Sequence, residues 1–453
     1  MTDYEEFLSH KTDYGSRHGF APLWMPDFLF DFQRALVDWS VRLGRAAIFA
    51  DCGMGKTPMQ LVWAENVVRK TNKPVLILTP LAVSAQTLDE AEKFHIEAHR
   101  ADARQNPTTV QVTNYEKLHY FDAANYGGVV CDESSILKNF DGTRKSEITE
   151  FMRRVPYRLL CTATAAPNDW IELGTSSEAL GYLGHMDMLT RFFTDKGGTF
   201  YRRQSHEPTW RLRPHAEQPF WRWVASWARA ARRPADLGFD NDGFILPPLE
   251  ERLTLVKPTQ VKQGMLFDLP AVNFFEEREV TRRTIRDRCD KAAELVAQHD
   301  VSMVWCHLND EAKALKDAIP SSVEISGSDA DEAKEAAARW FVHGTEARRV
   351  LISKPKIFGF GLNFQHCQHM TYFPTHSYEQ YYQATRRLWR FGQTRPVLVD
   401  MIYTDGGERM MENLARKSRA ADKMFDDLTR YMGQAQGVEV KYTEREVTVP
   451  TWM

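Results

Sequence analysis

Short apolar runs, each ending in a polar or glycine-rich segment, alternate along this chain with longer amphipathic stretches, and that alternation leaves few folds open. Ala46-Ala47-Ile48-Phe49-Ala50, Val75-Leu76-Ile77-Leu78, Val129-Val130-Cys131 and Leu159-Leu160-Cys161 read as strands buried on both faces. Residues 58–68 and 88–94 between them carry helical patterning. Strand–helix alternation predicts an α/β fold, a parallel sheet with helices on both sides. Open α/β sheets bind ligands at the carboxyl ends of their strands, so chemistry is expected in the polar segments that follow these runs.

The pattern breaks after Pro167. Residues 170–250 are aromatic, arginine-rich and helical in pattern, and Pro247-Pro248 closes the segment. The window 200–235 holds Arg202, Arg203, Arg211, Arg213, Arg222, Arg229, Arg232 and Arg233 against Glu207 and Glu217 as its acids. Trp210, Trp221, Trp223 and Trp227 are interleaved. Trp223 and Trp227 stand four apart, which favours a shared buried helix face over a nucleic-acid contact. For the arginines, outward snorkelling and backbone-phosphate contact are equally open. Alternation resumes with Ser302-Met303-Val304-Trp305-Cys306, Val350-Leu351-Ile352-Ser353 and Val397-Leu398-Val399-Asp400-Met401. Two α/β lobes separated by a mainly helical insertion account for the 453 residues.

Composition excludes several classes. A hydrophobic share of 43% beside 26% charged residues rules out wholesale disorder. Net charge is −3, so any basic binding surface is local. Cys52, Cys131, Cys161, Cys289, Cys306 and Cys367 are scattered without a CxxC pair, which argues against a disulfide framework or structural zinc. No apolar run approaches the ~20 residues that span a bilayer. The acidic start, Met1-Thr2-Asp3-Tyr4-Glu5-Glu6, reverses the order of a signal peptide. The expectation is a soluble, cytoplasmic protein, away from membranes.

Ala50-Asp51-Cys52-Gly53-Met54-Gly55-Lys56-Thr57 lies between an expected strand and an expected helix. It fits the phosphate-loop pattern, with Ala50 where the first glycine usually stands. Gly53 and Gly55 let backbone N–H groups converge on phosphates, Lys56 reaches the β/γ oxygens, and the Thr57 hydroxyl ligates magnesium. The helix N-terminus adds its dipole. Gly128-Val129-Val130-Cys131-Asp132-Glu133 is a buried strand ending in two carboxylates. Asp132 can hold the metal and Glu133 can orient and deprotonate water. Hydrolysis of a nucleoside triphosphate, with ATP and Mg2+ as ligands, is the expectation.

Asp132-Glu133-Ser134-Ser135-Ile136-Leu137-Lys138-Asn139 resembles the Asp-Glu-x-His…Leu-Lys-Asn segment of the SWI/SNF-type ATPases of helicase superfamily two. Other segments match in order. Phe32-Gln33 resembles the upstream Tyr-Gln whose Gln reads adenine, and Thr79-Pro80 resembles a motif that contacts DNA phosphates. Thr113-Asn114-Tyr115-Glu116 is similar to Thr-x-Tyr-Glu. Thr162-Ala163-Thr164-Ala165-Ala166-Pro167-Asn168 is similar to Thr-Gly-Thr-Pro…Asn, which couples two lobes. Gly359-Phe360-Gly361-Leu362-Asn363-Phe364 resembles Gly-x-Gly-Leu-Asn-Leu. Gln383-Ala384-Thr385-Arg386-Arg387-Leu388-Trp389-Arg390-Phe391-Gly392-Gln393 resembles Gln-Ala-x-Asp-Arg-x-His-Arg-Ile-Gly-Gln. Ser135, Arg386 and Trp389 depart from a His, an Asp and a His of that pattern. Phe358 and Pro355 depart from a Gly and a Thr.

The resemblance implies two RecA-like lobes. Arg387 and Arg390 are then arginine fingers, and Gly361 and Gln383 nucleotide contacts. Thr79, Thr113, Asn114, Thr162, Lys354, Asn363, Arg232 and Arg233 are then nucleic-acid contacts. It implies a compact bacterial or phage-like motor, monomeric, that translocates on double-stranded DNA with little base specificity. A strand-separating DNA or RNA helicase and a weakly hydrolysing nucleotide switch stay open. A small-molecule kinase would not need the second lobe. The expected divisions are 1–24 as an extension, 25–169 as the first lobe, 170–256 as a helical protrusion, 257–284 as a linker, 285–415 as the second lobe, and 416–453 as a solvated helix and tail. His307 and His366 read as structural.

Overall fold

The structure is a computed structural model that describes residues 18–80, 83–102, 107–138, 142–166, 169–195, 210–259, 274–358, 363–405 and 407–436. It divides into two compact units. The first runs to Asp242 and takes the chain back from Ala420, and the second is Gly243–Arg419.

In the first unit, β1 (Arg45–Ala50), β2 (Val75–Thr79), β3 (Ala98–Arg100), β4 (Val110–Asn114), β5 (Gly128–Asp132) and β6 (Tyr157–Cys161) appear in chain order. After them β7 (Phe193–Asp195) and β8 (Trp210–Leu212) pair antiparallel, and β9 (Ala228–Ala231) follows. The main sheet is parallel in the order β3-β4-β2-β5-β6-β1-β9. Every residue of β2, β4 and β5 is buried, the condition that demands helices on both faces. Lys56–Thr71 and Ser84–Lys93 are helical, slightly longer than their sequence patterns.

The second unit repeats the architecture with β10 (Leu249–Val256), β11 (Val301–Trp305), β12 (Val323–Glu324), β13 (Arg349–Ser353), β14 (His369–Tyr372) and β15 (Val397–Thr404). All of its pairings are parallel, in the order β10-β15-β14-β11-β13-β12. The α/β class with two parallel sheets is as expected.

The stretch expected as a helical protrusion departs from that reading. It contains the helices Leu173–Leu180, His185–Phe192 and Glu217–Trp227, but it also supplies β9 to the first sheet and β10 to the second. Ala228-Arg229-Ala230-Ala231 has no β-branched or aromatic residue, so its own preference is helical. Backbone pairing with β1 overrides that preference. Trp221, Trp223 and Trp227 are buried in the first core beside Phe49 and Leu160, the packing reading of those residues.

Two further differences stand out. Phe274–Arg283, inside the stretch expected as a linker, is helical. In the helix Glu408–Gln436, Met424, Phe425, Leu428 and Met432 are buried in the first core, where a solvated face was expected. Their spacing makes one apolar stripe, which a hydrophobic surface captures once it is presented. Residues 437–453 lie outside the described part.

Candidate nucleotide-binding site

The first unit's polar side chains of interest gather at the carboxyl ends of three neighbouring strands, β5, β6 and β1. Register sets Asp132 opposite Cys161 and Cys161 opposite Ile48, so Asp132, Thr162 and the loop after Ala50 leave the sheet side by side. In the loop, Gly53 has φ +90° and Gly55 φ +75°, backbone conformations that side chains resist. Asp51 N–H donates to Ala231 O at 2.9 Å, which ties the loop to the end of β9. Lys56 opens the following helix and is half-buried, with Nζ donating to Ala50 O at 3.1 Å. Thr57 follows in the first helical turn.

Gln33 braces this loop. Its Nε2 donates to Met54 O at 3.0 Å and its Oε1 accepts from Phe30 N–H at 3.1 Å, so one amide joins the start of the helix Asp31–Leu43 to the glycine loop.

The two carboxylates are 7% and 9% exposed, Asp132 and Glu133 respectively, so neither is a solvated surface acid. Gln60 Nε2 donates to Asp132 Oδ1 at 2.7 Å, and Tyr115 OH donates to Asp132 O at 2.5 Å. Glu133 has φ +52°, a left-handed backbone that costs a non-glycine residue about 1–2 kcal/mol. That turn reverses the chain at the tip of β5, and Thr162 Oγ1 donates to Glu133 Oε2 at 3.2 Å. Thr162 in turn accepts from Thr164 N–H at 3.0 Å. Backbone strain at a buried carboxylate is a feature that clusters at functional sites.

Charge in this cluster is unbalanced. Burial holds the Asp132 carboxyl above its ordinary value, although the Gln60 hydrogen bond and Lys56 pull it down. Burial alone would lower the Lys56 ammonium, but Cys52, Glu133, Asp132 and Asp51 outweigh it and the net shift is upward. Three carboxylates around one ammonium leave room for further positive charge. The Thr57 hydroxyl and the Asp132 carboxylate are hard oxygen donors of the kind magnesium takes together with phosphate oxygens. Among the described residues no group of three or more His, Cys, Asp or Glu is placed to hold a metal.

In the second unit, the helix Tyr378–Leu388 carries Gln383, Arg386 and Arg387. Arg387 is 3% exposed and folds back on that helix, donating to Gln383 O at 3.2 Å and Gln383 Oε1 at 2.9 Å. Arg390 Nη1 donates to Asn363 Oδ1, and Lys354 Nζ donates to Asn309 Oδ1. Gly361, with Gly359, Phe360 and Leu362, lies outside the described residues.

Several side chains expected on nucleic acid have internal duties instead. Thr79 is fully buried, its hydroxyl 2.9 Å from Ser84 Oγ. Asn114 Oδ1 accepts from Lys117 N–H at 3.1 Å and caps the 3-10 turn Tyr115–Tyr120. Thr113 and Thr162 are buried as well. Arg232 pairs with Asp422 at 2.7 Å and lies 4.6 Å from the centroid of Phe425, and Arg233 pairs with Asp236 at 3.3 Å. Arg229 stacks 4.3 Å from the centroid of Trp39, and burial lowers its guanidinium to about 10. Arg213 caps the end of the helix His185–Phe192 through Thr190 O and Arg191 O. Arg211 and Arg222 are the members of the cluster with exposed side chains among the described residues, and Arg202 and Arg203 fall outside them. A parallel sheet buries its strand-end threonines, and an arginine beside its own acids pairs with them first.

Gln60 was not singled out in the sequence. Its signal was its place on the face of the helix one turn past Lys56, four residues on. His307 and His366 are each pushed down to about 4, chiefly by burial, and so stay neutral near pH 7. Ser302, His369 and Asp400 form a chain of contacts, 2.8 Å and then 3.0 Å, but Ser302 is fully buried. It is an internal brace between β11, β14 and β15 rather than a nucleophile. No helix among the described residues is long and apolar enough to cross a membrane.

Comparison with known proteins adds two likenesses. No protein-family model matches the chain. "Putative protein p41" of Acyrthosiphon pisum secondary endosymbiont phage 1 is 27% identical over 168 residues, covering 31% of this chain and 36% of that protein. The chain thus spans about a third of the length of that relative. Among solved structures, the Sulfolobus solfataricus SWI2/SNF2 ATPase core in complex with dsDNA aligns over 94% of this chain and 99% of its own, at 14% identity and a TM-score of 0.41.

Proposed function

We propose that this chain is an ATP-hydrolysing motor that moves along double-stranded DNA with little sequence preference. The observation that carries the reading is the buried cluster at the ends of β1, β5 and β6, in which Lys56, Asp132, Glu133 and Thr162 share one corner of a parallel sheet.

Lys56 and the N–H groups of the loop hold the phosphates of ATP. Lys56 exchanges its bond to Ala50 O for phosphate oxygen. Thr57 and Asp132 would hold magnesium, which when bound would neutralise charge developing on the transferred phosphoryl group. Glu133, aimed by the Thr162 hydroxyl, orients the attacking water and takes its proton. Gln60 keeps Asp132 in place as its charge changes partner. Gln33 connects the loop to the helix Asp31–Leu43. Arg387 and Arg390 are the second unit's candidates for supplying guanidinium charge to the γ-phosphate, and Arg387 would first have to exchange its bonds to Gln383 for phosphate oxygen.

Duplex contact is assigned to the backbone at Thr79, Thr113, Asn114, Thr162, Lys354 and Asn363, and to the exposed Arg211 and Arg222. Contacts of that kind position the protein without reading bases, and they weaken steeply with salt. Arg232 and Arg233, partly buried and paired with Asp422 and Asp236, would have to exchange those partners for phosphate to serve in the same way.

The test is steady-state ATP hydrolysis without nucleic acid, then with duplex DNA, single-stranded DNA and RNA, beside a Glu133→Gln variant. The expected result is the largest stimulation by duplex DNA and an inactive variant. Stronger stimulation by single strands or RNA replaces the duplex motor with a strand-separating helicase. No hydrolysis under any condition removes the motor reading.

A further inference from the structure

Arg386 and Trp389, two positions that depart from the pattern described above, meet each other in the structure. The Arg386 guanidinium lies 4.3 Å from the centroid of the Trp389 ring and 5.2 Å from that of Tyr382. Its Nη1 also donates to Trp389 O at 3.4 Å. The indole N–H of Trp389 is anchored in the opposite direction, donating to Pro247 O at 2.6 Å.

This contact sits where the helix Tyr378–Leu388 ends. Trp389 is the residue after the helix, at φ −94° and ψ 85°, and its backbone N–H closes the last turn on Thr385 O at 2.9 Å. The next residue is Arg390, whose guanidinium bonds Asn363 Oδ1. Gln393 holds the far side of the turn, with its N–H on Arg390 O at 2.9 Å and its Nε2 on Leu388 O at 3.3 Å.

We propose that the Arg386–Trp389 stack is a positioning device for Arg390. It fixes the dihedral at which the chain leaves the helix, and so the direction in which Arg390 is presented to the nucleotide. Cation–π contacts strengthen when desolvated, and Arg386 is 8% exposed, so the stack is of the stronger kind. The inference rests on the motor reading, in which Arg390 serves the γ-phosphate. Neither Arg386 nor Trp389 then touches the reacting atoms, and their effect is confined to how Arg390 is aimed.

The experiment measures duplex-stimulated ATP hydrolysis for wild type, Trp389→Ala, Trp389→Phe, Arg386→Ala and the Arg386→Ala/Trp389→Ala double variant, with thermal unfolding followed in parallel. A misaimed catalytic group costs rate more than ground-state binding. Trp389→Ala and Arg386→Ala are therefore each expected to lower kcat about ten- to a hundredfold with KM for ATP within about twofold, while Trp389→Phe stays within about threefold of wild type. The double variant is expected to be no worse than the poorer single one, because both break one contact. Unchanged kcat in folded single variants overturns the proposal, as do losses that multiply or a raised KM at constant kcat. Should Trp389→Ala not fold, Arg386→Ala and Trp389→Phe decide by the same criteria. Wild type that hydrolyses nothing removes the motor reading and this role with it, whereas active wild type with indifferent variants removes this role alone.

Discussion

Replacing Gly55 by Ala tests how tightly the phosphate loop is locked to the helix that carries Gln33. Gly55 has φ +75°, and a Cβ built there would lie 2.2 Å from Gln33 Nε2. Two costs follow. Holding a side chain in the left-handed region costs about 1–2 kcal/mol. The collision also displaces Gln33 from Met54 O and Phe30 N–H, each hydrogen bond contributing about 0.5–1.5 kcal/mol. The total centres on ~3.5 kcal/mol, and a unit of this size loses about 2–4 °C of Tm per kcal/mol, so a fall of roughly 7–14 °C is expected. Gly243 is the control: its φ is +76°, and the nearest atom to an added Cβ is Phe391 Cε2 at 3.9 Å, so Gly243→Ala carries only the backbone cost. Thermal unfolding by circular dichroism of both variants, and of Gly55→Ala combined with Gln33→Ser, measures the difference. Because the Gln33 bonds are already lost in Gly55→Ala, the double variant is expected to be no less stable than Gly55→Ala. Equal falls for Gly55→Ala and Gly243→Ala, or a Gln33→Ser change that simply adds its own loss, would refute Gln33 as the obstacle.

Other outcomes follow from particular contacts. Gln60→Leu removes the donor 2.7 Å from Asp132, which favours the ionised carboxylate, so the acid limb of the kcat/KM profile for ATP hydrolysis is expected to move to higher pH. Glu311, paired with Arg288 at 2.8 Å, would be raised by burial, but Arg288 and the N–H groups of His307 and Leu308 bring it below its ordinary value. Its contribution is therefore complete above the ordinary Glu range and lost as pH falls through the lowered folded value. An acid titration of Tm is expected to lose that dependence in Glu311→Ala, which also costs about 3–5 kcal/mol by leaving Arg288 buried alone. Arg222→Ala is expected to weaken duplex binding and reduce its salt dependence at unchanged Tm, whereas Arg232→Ala lowers Tm, as paired titrations of binding and unfolding will separate.

The strands and the tight glycine turn before the helix at Lys56 were legible in the sequence because their signals are local. An all-apolar run ending in Asp132-Glu133, or a Gly-x-Gly-Lys-Thr segment between a strand and a helix, carries its own steric and electrostatic meaning. The core placement of Trp223 and Trp227 was legible from a spacing of four for the same reason.

What only the tertiary structure decided is which partner each ambiguous segment finds. Ala228-Arg229-Ala230-Ala231 becomes a strand because β1 offers it a free edge, against its own helical preference. Arg232 and Arg233 read as a basic patch until Asp422 and Asp236 are placed beside them, the first of these far along the chain. Thr79 and Asn114 look exposed and reactive as letters, yet the sheet buries one and makes the other a cap. Gln60 and the Arg386–Trp389 stack carry no composition signal, since their meaning lies in a carboxylate and a carbonyl brought close by folding. Short-range sterics and hydrophobic burial are written residue by residue, whereas the pairing of charges and polar groups depends on distances that exist only once the chain has closed on itself.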